Sequence, residues 1–157
     1  NIRRQYSVHG KISHCQHWMT AMRTPQPFHI MVTDINHHVR DLLKRELEKE
    51  GYSVCCVKSG IDAYHSICDS AMIDVVILDP ELLYPYGYSL FVEVLEKNPA
   101  LQIIIHTYHE FTRGLTTGSN IHIVEKNATS IHSLKEKIRA CSIQKAGRRT
   151  SQPTAVP

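Results

Sequence analysis

The stretch "VVILDPELLYPYG", Val75 to Gly87, is the key to the architecture. Four apolar residues, Val75 to Leu78, run directly into Asp79, and Pro80 follows at once. A short apolar run without alternation is the pattern of a strand buried on both faces, as in a parallel sheet. An Asp at the end of such a strand has two readings. It can accept backbone N–H groups and simply close the strand, or it can be a carboxylate placed for chemistry.

The segments on either side follow a strand–helix rhythm. "FHIMVTD" (Phe28–Asp34) and "YSVCCVK" (Tyr52–Lys58) read as strands. Between them Val39, Leu42, Leu43 and Leu47 recur at helical spacing, with Asn36 as N-cap and Gly51 as the stop. "GIDAYHSICDSA" puts Ile61, Tyr64, Ile67, Cys68 and Ala71 on one helix face. Beyond the opening stretch, Tyr88–Asn98 reads as a helix that Pro99 stops. Leu101–Thr107 and Ile121–Lys126 read as the fourth and fifth strands. Ser130–Cys141 is the last helix, with Ile131, Leu134 and Ile138 turned inward. Each parallel connection needs a crossover, so this alternation predicts a doubly wound α/β sheet of five parallel strands in the order 2-1-3-4-5. Only 13 residues, Tyr108–Asn120, join the fourth strand to the fifth. That is tight for a crossover helix with its loops, so the fourth helix is expected to be short or degraded.

Composition bounds the rest. The chain has 157 residues, enough for one domain with a real core. No apolar run approaches the ~20 residues of a membrane span, and the basic start lacks the apolar stretch of a signal peptide. Five cysteines, an odd number without a C-x-x-C pair, suit reduced and mostly buried thiols in a cytoplasmic protein. Charge divides the chain into three parts. Residues 1–27 carry four basic side chains and no acid, an expected basic extension with one candidate helix around His14–Met22. Residues 28–143 carry 11 basic and 15 acidic side chains and form the folded domain. Residues 144–157 carry three basic side chains and no acid, and read as a flexible basic tail or linker. Basic arms can touch nucleic acid or an acidic surface, but solvated tails are the preferred expectation over nucleic-acid contact, and no membrane contact is expected. "HCQHW" (His14–Trp18) holds three metal-type ligands where structural zinc prefers four, and adjacent His37 and His38 point in different directions.

In open parallel sheets, reactive groups gather at the carboxyl ends of the strands. Asp34, Asp79, Thr107 and Lys126 stand at four such ends. In this order and placement the chain resembles the receiver domain of bacterial two-component response regulators, over about residues 28–143. The resemblance implies a flavodoxin-like fold and assigns a role to each residue. Asp79 is then the phosphoacceptor, Thr107 the hydroxyl that binds the transferred group, and Lys126 the ammonium that screens it. Asp34 and Asp79 are then the ligands of a weakly held Mg²⁺, with the Glu81 backbone as a further one. Gly87 and Pro85 match the loop beyond the acceptor. The implied partners are a histidine kinase or phosphotransfer protein and a downstream protein target, with a homodimer left open. The activity is that of a self-phosphorylating switch, not of a metabolic enzyme.

Five departures bear on that expectation. Ile35 stands where the family has a second acid, which removes a Mg²⁺ ligand. Tyr108 follows Thr107 in place of a small residue, and its ring is expected to roof the pocket. Asn127 replaces the proline after the lysine, and Ile123 replaces an aromatic switch residue. The short connection between strands four and five is the fifth. They keep open a second reading, a degenerate receiver that acts as a phosphorylation-independent interaction module. Residues 144–157 are too short for a helix-turn-helix, so the chain either acts through its surface or is a piece of a longer protein.

Overall fold

Val75–Leu78 is the central strand of the sheet, and every one of its side chains is buried. The computed structural model describes residues 27–69, 72–83, 89–111 and 118–150. The strands are β1 (His29–Thr33), β2 (Ser53–Val57), β3 (Val75–Leu78), β4 (Gln102–Thr107) and β5 (Ile121–Glu125). The helices are α1 (His37–Glu48), α2 (Gly60–Asp69), α3 (Ser89–Lys97) and α4 (Ser130–Thr150). All neighbouring strand pairs are parallel, in the order β2-β1-β3-β4-β5.

The two-residue period of the strands divides the core into two layers. Ile30, Val32, Val75, Ile77 and Ile104 face α1 and α4, where Leu43, Leu47, Leu134 and Ile138 meet them. Met31, Val76, Leu78, Ile103 and Ile105 face α2 and α3, where they meet Ala63, Ile67 and Val94. Each fully buried Leu or Ile side chain removes enough apolar surface to contribute about 1.5–3 kcal/mol. The edge strand β2 is covered less well than the rest.

Local signals act where the sequence places them. The Asn36 side chain accepts from His38 N at 2.9 Å and caps α1. Gly51 ends the following turn with φ +88°, a conformation that favours glycine. Three expectations need correction. Cys55, Cys56 and Cys68 are exposed and only Cys141 of the described cysteines is buried, because β2 is an edge strand and Cys68 lies on the outer side of α2. The inner face of α2 is carried by Ala63 and Ile67, while Ile61 is exposed. The last helix does not stop at Cys141 but continues to Thr150, so residues 144–150 of the expected tail are helical. Lys145 pairs there with Asp74, a tertiary contact that local composition does not reveal.

Between β4 and β5 the described residues contain a three-residue 3-10 turn, His109–Phe111, and residues 112–117 lie outside the described residues. So do residues 1–26, with the candidate helix and "HCQHW", and residues 84–88, with Pro85 and Gly87.

Candidate functional site

Asp79 leaves β3 at the carboxyl edge of the sheet. Its N–H donates to Thr33 O at 3.0 Å, which ties it to the end of β1. A 3-10 turn, Pro80–Leu83, follows. Pro80 has no N–H to give, but Glu81 N donates to Asp79 Oδ1 at 3.0 Å. One carboxylate oxygen of Asp79 is therefore fixed by its own loop.

Asp34 leaves β1 beside it. Asn36 N donates to Asp34 Oδ1 at 2.8 Å. Arg40, one turn into α1, donates through Nη1 to the carbonyls of Asp34 at 2.6 Å and Ile35 at 3.0 Å. The guanidinium thus clamps the β1–α1 loop, a role that no feature of the local pattern announces.

Lys126 follows β5. Its N–H donates to Thr107 O at 2.7 Å, which continues the β4–β5 pairing one step past Glu125. Its side chain reaches back across the sheet edge and sets Nζ 2.7 Å from Asp79 Oδ2 and 2.8 Å from Asp34 Oδ2. The Asp79 contact is a directed hydrogen bond, and the same ammonium forms a close ion pair with the buried Asp34 Oδ2. Burial pulls the Lys126 pKa down, but the two carboxylates outweigh it and hold the ammonium above its ordinary range. Asn127 does not continue the strand as proline would. Its side chain accepts from Thr129 N and Thr129 Oγ1, both at 2.9 Å, and this turn leads into α4.

Asp34, Asp79 and Lys126 therefore meet, and Thr107 joins them through its backbone at the buried end of β4. The Tyr108 ring centroid lies 5.3 Å from Lys126 Nζ, and the residue is 51% exposed. The expected roof is there, as a cation–π cover on the ammonium. Ile35 points outward, 55% exposed, and offers no ligand.

One residue of the site was missed in the sequence. His106, just before Thr107, is 4% exposed and lies on the α1–α4 face. The register pairs Leu78 with Ile105, so the next step along both strands sets His106 beside Asp79. Both ring nitrogens are buried, without a hydrogen-bond partner among the described residues. Burial, reinforced by the Lys126 charge and opposed by Asp34 and Asp79, pulls its pKa down to about 4. The ring is neutral at physiological pH. The available signal was a polar residue interrupting the run "IIIHT" in a strand with no exposed face.

The donor set suits a weakly held Mg²⁺. Mg²⁺ is commonly bound by one or two carboxylates and keeps several waters. Asp34 Oδ2, a buried carboxylate oxygen at the sheet edge, is an acceptor of the right hardness. Asp79 is the second carboxylate. Among the described residues no group of three or more His, Cys, Asp or Glu side chains is placed to hold a metal. Lys126 also competes for the same oxygens.

Comparison with known proteins bears on this arrangement. The response regulator receiver domain pattern matches residues 30–139. Transcriptional regulatory protein GlrR of Escherichia coli K12 is 31% identical over 84 residues, 54% of this chain and 19% of that protein. The chain thus spans about a fifth of the length of the curated relatives it matches. Among solved structures, response regulator TrrA of Thermotoga maritima, in complex with Mg²⁺–BeF, is similar with a TM-score of 0.62 and 28% identity. That match covers 73% of this chain and 98% of TrrA. TrrA in complex with histidine kinase ThkA is similar with a TM-score of 0.56 and 27% identity, over 73% of this chain and 97% of that one. With its five-stranded parallel sheet and a family match over most of its length, this chain belongs to the response regulator receiver domain family.

Proposed function

We propose that this chain accepts a phosphoryl group on Asp79 from a phosphohistidine of a histidine kinase or phosphotransfer protein, and that the modified domain changes its protein contacts. The observation that carries the reading is the Lys126 ammonium, held 2.7 Å from Asp79 and 2.8 Å from Asp34. It places a positive charge beside the acceptor carboxylate and screens the approach of one anion to another. An Asp79 oxygen attacks phosphorus, the P–N bond of the donor breaks, and the imidazole leaves. Mg²⁺, held by Asp34 and Asp79 with help from the Glu81 backbone, would supply further charge neutralisation of the phosphoryl oxygens. Thr107, at the buried end of β4, supplies the hydroxyl that takes a phosphoryl oxygen in this reading. The complex of the similar TrrA with a histidine kinase supports the proposed donor class. No described helix is long and apolar enough to cross a membrane, which is compatible with a cytoplasmic partner. The downstream target is a protein, and a homodimer is one form it can take.

A second reading is favoured by Ile35, which removes an acid from the metal site, and by Tyr108, which covers Lys126. In that reading the fold persists as a phosphorylation-independent interaction module. Intact mass after incubation with Mg²⁺ and a small acyl phosphate separates the two. The expected result is gain of one phosphoryl group by the parent, faster gain and tighter Mg²⁺ binding by Ile35→Asp, and none by Asp79→Asn. Labelling that survives Asp79→Asn would place the chemistry elsewhere. No labelling of either the parent or Ile35→Asp would overturn the phosphoacceptor reading and favour the second.

A further inference from the structure

The opposite end of the sheet carries a cavity of its own. Phe28, Asp74 and Gln102 stand at the amino ends of β1, β3 and β4, a strand length away from Asp34, Asp79 and Thr107. With the last turns of α4 they line a space of about 280 Å³. Sites for drug-sized ligands run from about 300 to 1,000 Å³. This cavity therefore suits a small organic molecule and is too small for a dinucleotide. Phe28, Ile73 and Ala100 give its wall apolar surface. Gln102 is a polar residue in the same wall, buried to 7% exposure, and its Oε1 accepts from the Cys141 thiol at 3.9 Å. A buried polar side chain beside apolar surface is the usual make-up of a ligand pocket.

Charge decides which molecule fits. Asp74 is the acid of the lining, and both of its oxygens are engaged. Its Oδ1 pairs with the Lys145 ammonium, and its Oδ2 accepts from His29 N at 2.9 Å. Asp74 and Lys145 thus cancel. Arg148 is left, with no ion pair or hydrogen bond among the described residues. The lining keeps one positive charge, on a guanidinium whose parallel N–H groups match a carboxylate. The amide side chains of Asn98 and Gln144 border the same space and carry no charge to oppose an anion.

We propose that this cavity binds a small organic carboxylate, with its apolar body against Phe28, Ile73 and Ala100 and its carboxylate paired with Arg148. A ligand seated there bridges the end of α4 and the starts of β3 and β4. The site is separate from the Asp79 rim and does not depend on phosphoryl transfer.

Three probes of related shape test it on the full chain. Benzoate has both the apolar body and the charge, benzamide has the body without the charge, and acetate has the charge without the body. Backbone ¹⁵N–¹H spectra are recorded during titration with each, at constant ionic strength. Benzoate is expected to cause saturable shifts at Ala100, Gln102 and Cys141, with a Kd on the order of 1 mM. Benzamide and acetate are expected to bind about fivefold more weakly or less. Arg148 is exposed, so Arg148→Gln leaves the core intact. It is expected to weaken benzoate by roughly three- to fivefold, as for a partly solvated ion pair, and to leave benzamide unchanged. A cation in the last turn of a helix also suits the helix end, and the benzamide titration separates that structural role from charge recognition. The proposal is overturned by any of four results. These are no saturable benzoate shifts at the three amides, benzamide or acetate binding as tightly as benzoate, Arg148→Gln binding benzoate like the parent, or Arg148→Gln weakening benzamide as much as benzoate.

Discussion

His106 makes the site sensitive to acid. Its folded-state pKa of about 4 lies below the ordinary 6.5. Above pH 6.5 the ring is neutral in both states and its titration contributes nothing to stability differences. Between 6.5 and 4 the unfolded chain takes up a proton that the folded chain refuses, so folding stability falls as pH falls through this window. The 2.5-unit difference corresponds to about 3 kcal/mol by pH 4. Carboxylates titrate over the same range, so the parent curve alone does not isolate the effect. The His106→Leu variant does. Its stability advantage over the parent, from urea unfolding with a chelator present, is expected to grow by about that amount between pH 7 and pH 4. A constant difference would show that the ring is not held neutral by its surroundings. Lys126 is the opposite case, a buried charge kept because two carboxylates compensate its lost water.

The elements around the acceptor are coupled by close backbone approach. A Cβ built on Gly60, the first residue of α2, lies 2.3 Å from Leu82 O in the turn that follows Asp79. The turn and the helix start therefore touch backbone to backbone, and glycine is required by space. In isolation, Gly→Ala in a helix gains about 0.5–1 kcal/mol. Overpacking against a backbone carbonyl costs about 1–3 kcal/mol. The second effect wins here, because no flexible side chain can give way. Gly60→Ala is expected to lower stability by about 1–2 kcal/mol in urea unfolding and to slow acyl phosphate labelling, since the displaced turn carries the Glu81 N–H that holds Asp79. Unchanged stability and unchanged labelling would mean that the turn moves freely. The α1 end of the site is fixed differently, through Arg40 and the loop carbonyls it holds.

At the scale of the whole molecule, α4 ties the far edge of the sheet to its start. Asp74, just before β3, accepts from His29 N at 2.9 Å and pairs with Lys145. Lys145 Nζ also lies 5.7 Å from the Phe28 ring centroid. The last two turns of α4 therefore serve the folded domain, and residues 144–150 are not a simple linker. Ending the chain after Ile143 is expected to lower stability by about 1–3 kcal/mol, from the loss of a partly buried ion pair and the cover over Phe28. Lys145→Met keeps the helix and removes the charge, and should account for part of that loss. A truncated protein as stable as the parent would restore residues 144–150 to the tail.

The sequence by itself determined the strands, their parallel order and three of the groups that meet at the rim. It could do so because those features are local or periodic. A buried strand shows as a short apolar run, a helix as a 3.6-residue stripe, and βα alternation leaves few topologies. Asp34, Asp79 and Lys126 were legible because each ends its strand. Only the tertiary structure decided the rest. The pairing of Lys145 with Asp74 spans 71 residues, so nothing near Cys141 announces that the helix continues. The exposure of Cys55 and Cys56 follows from β2 being an edge, and a strand's own residues do not state its neighbours. His106 looked like one polar residue in an apolar run. Its place in the site arises from cross-strand register, which sets it next to Asp79, and register is a property of the sheet, not of any segment within it.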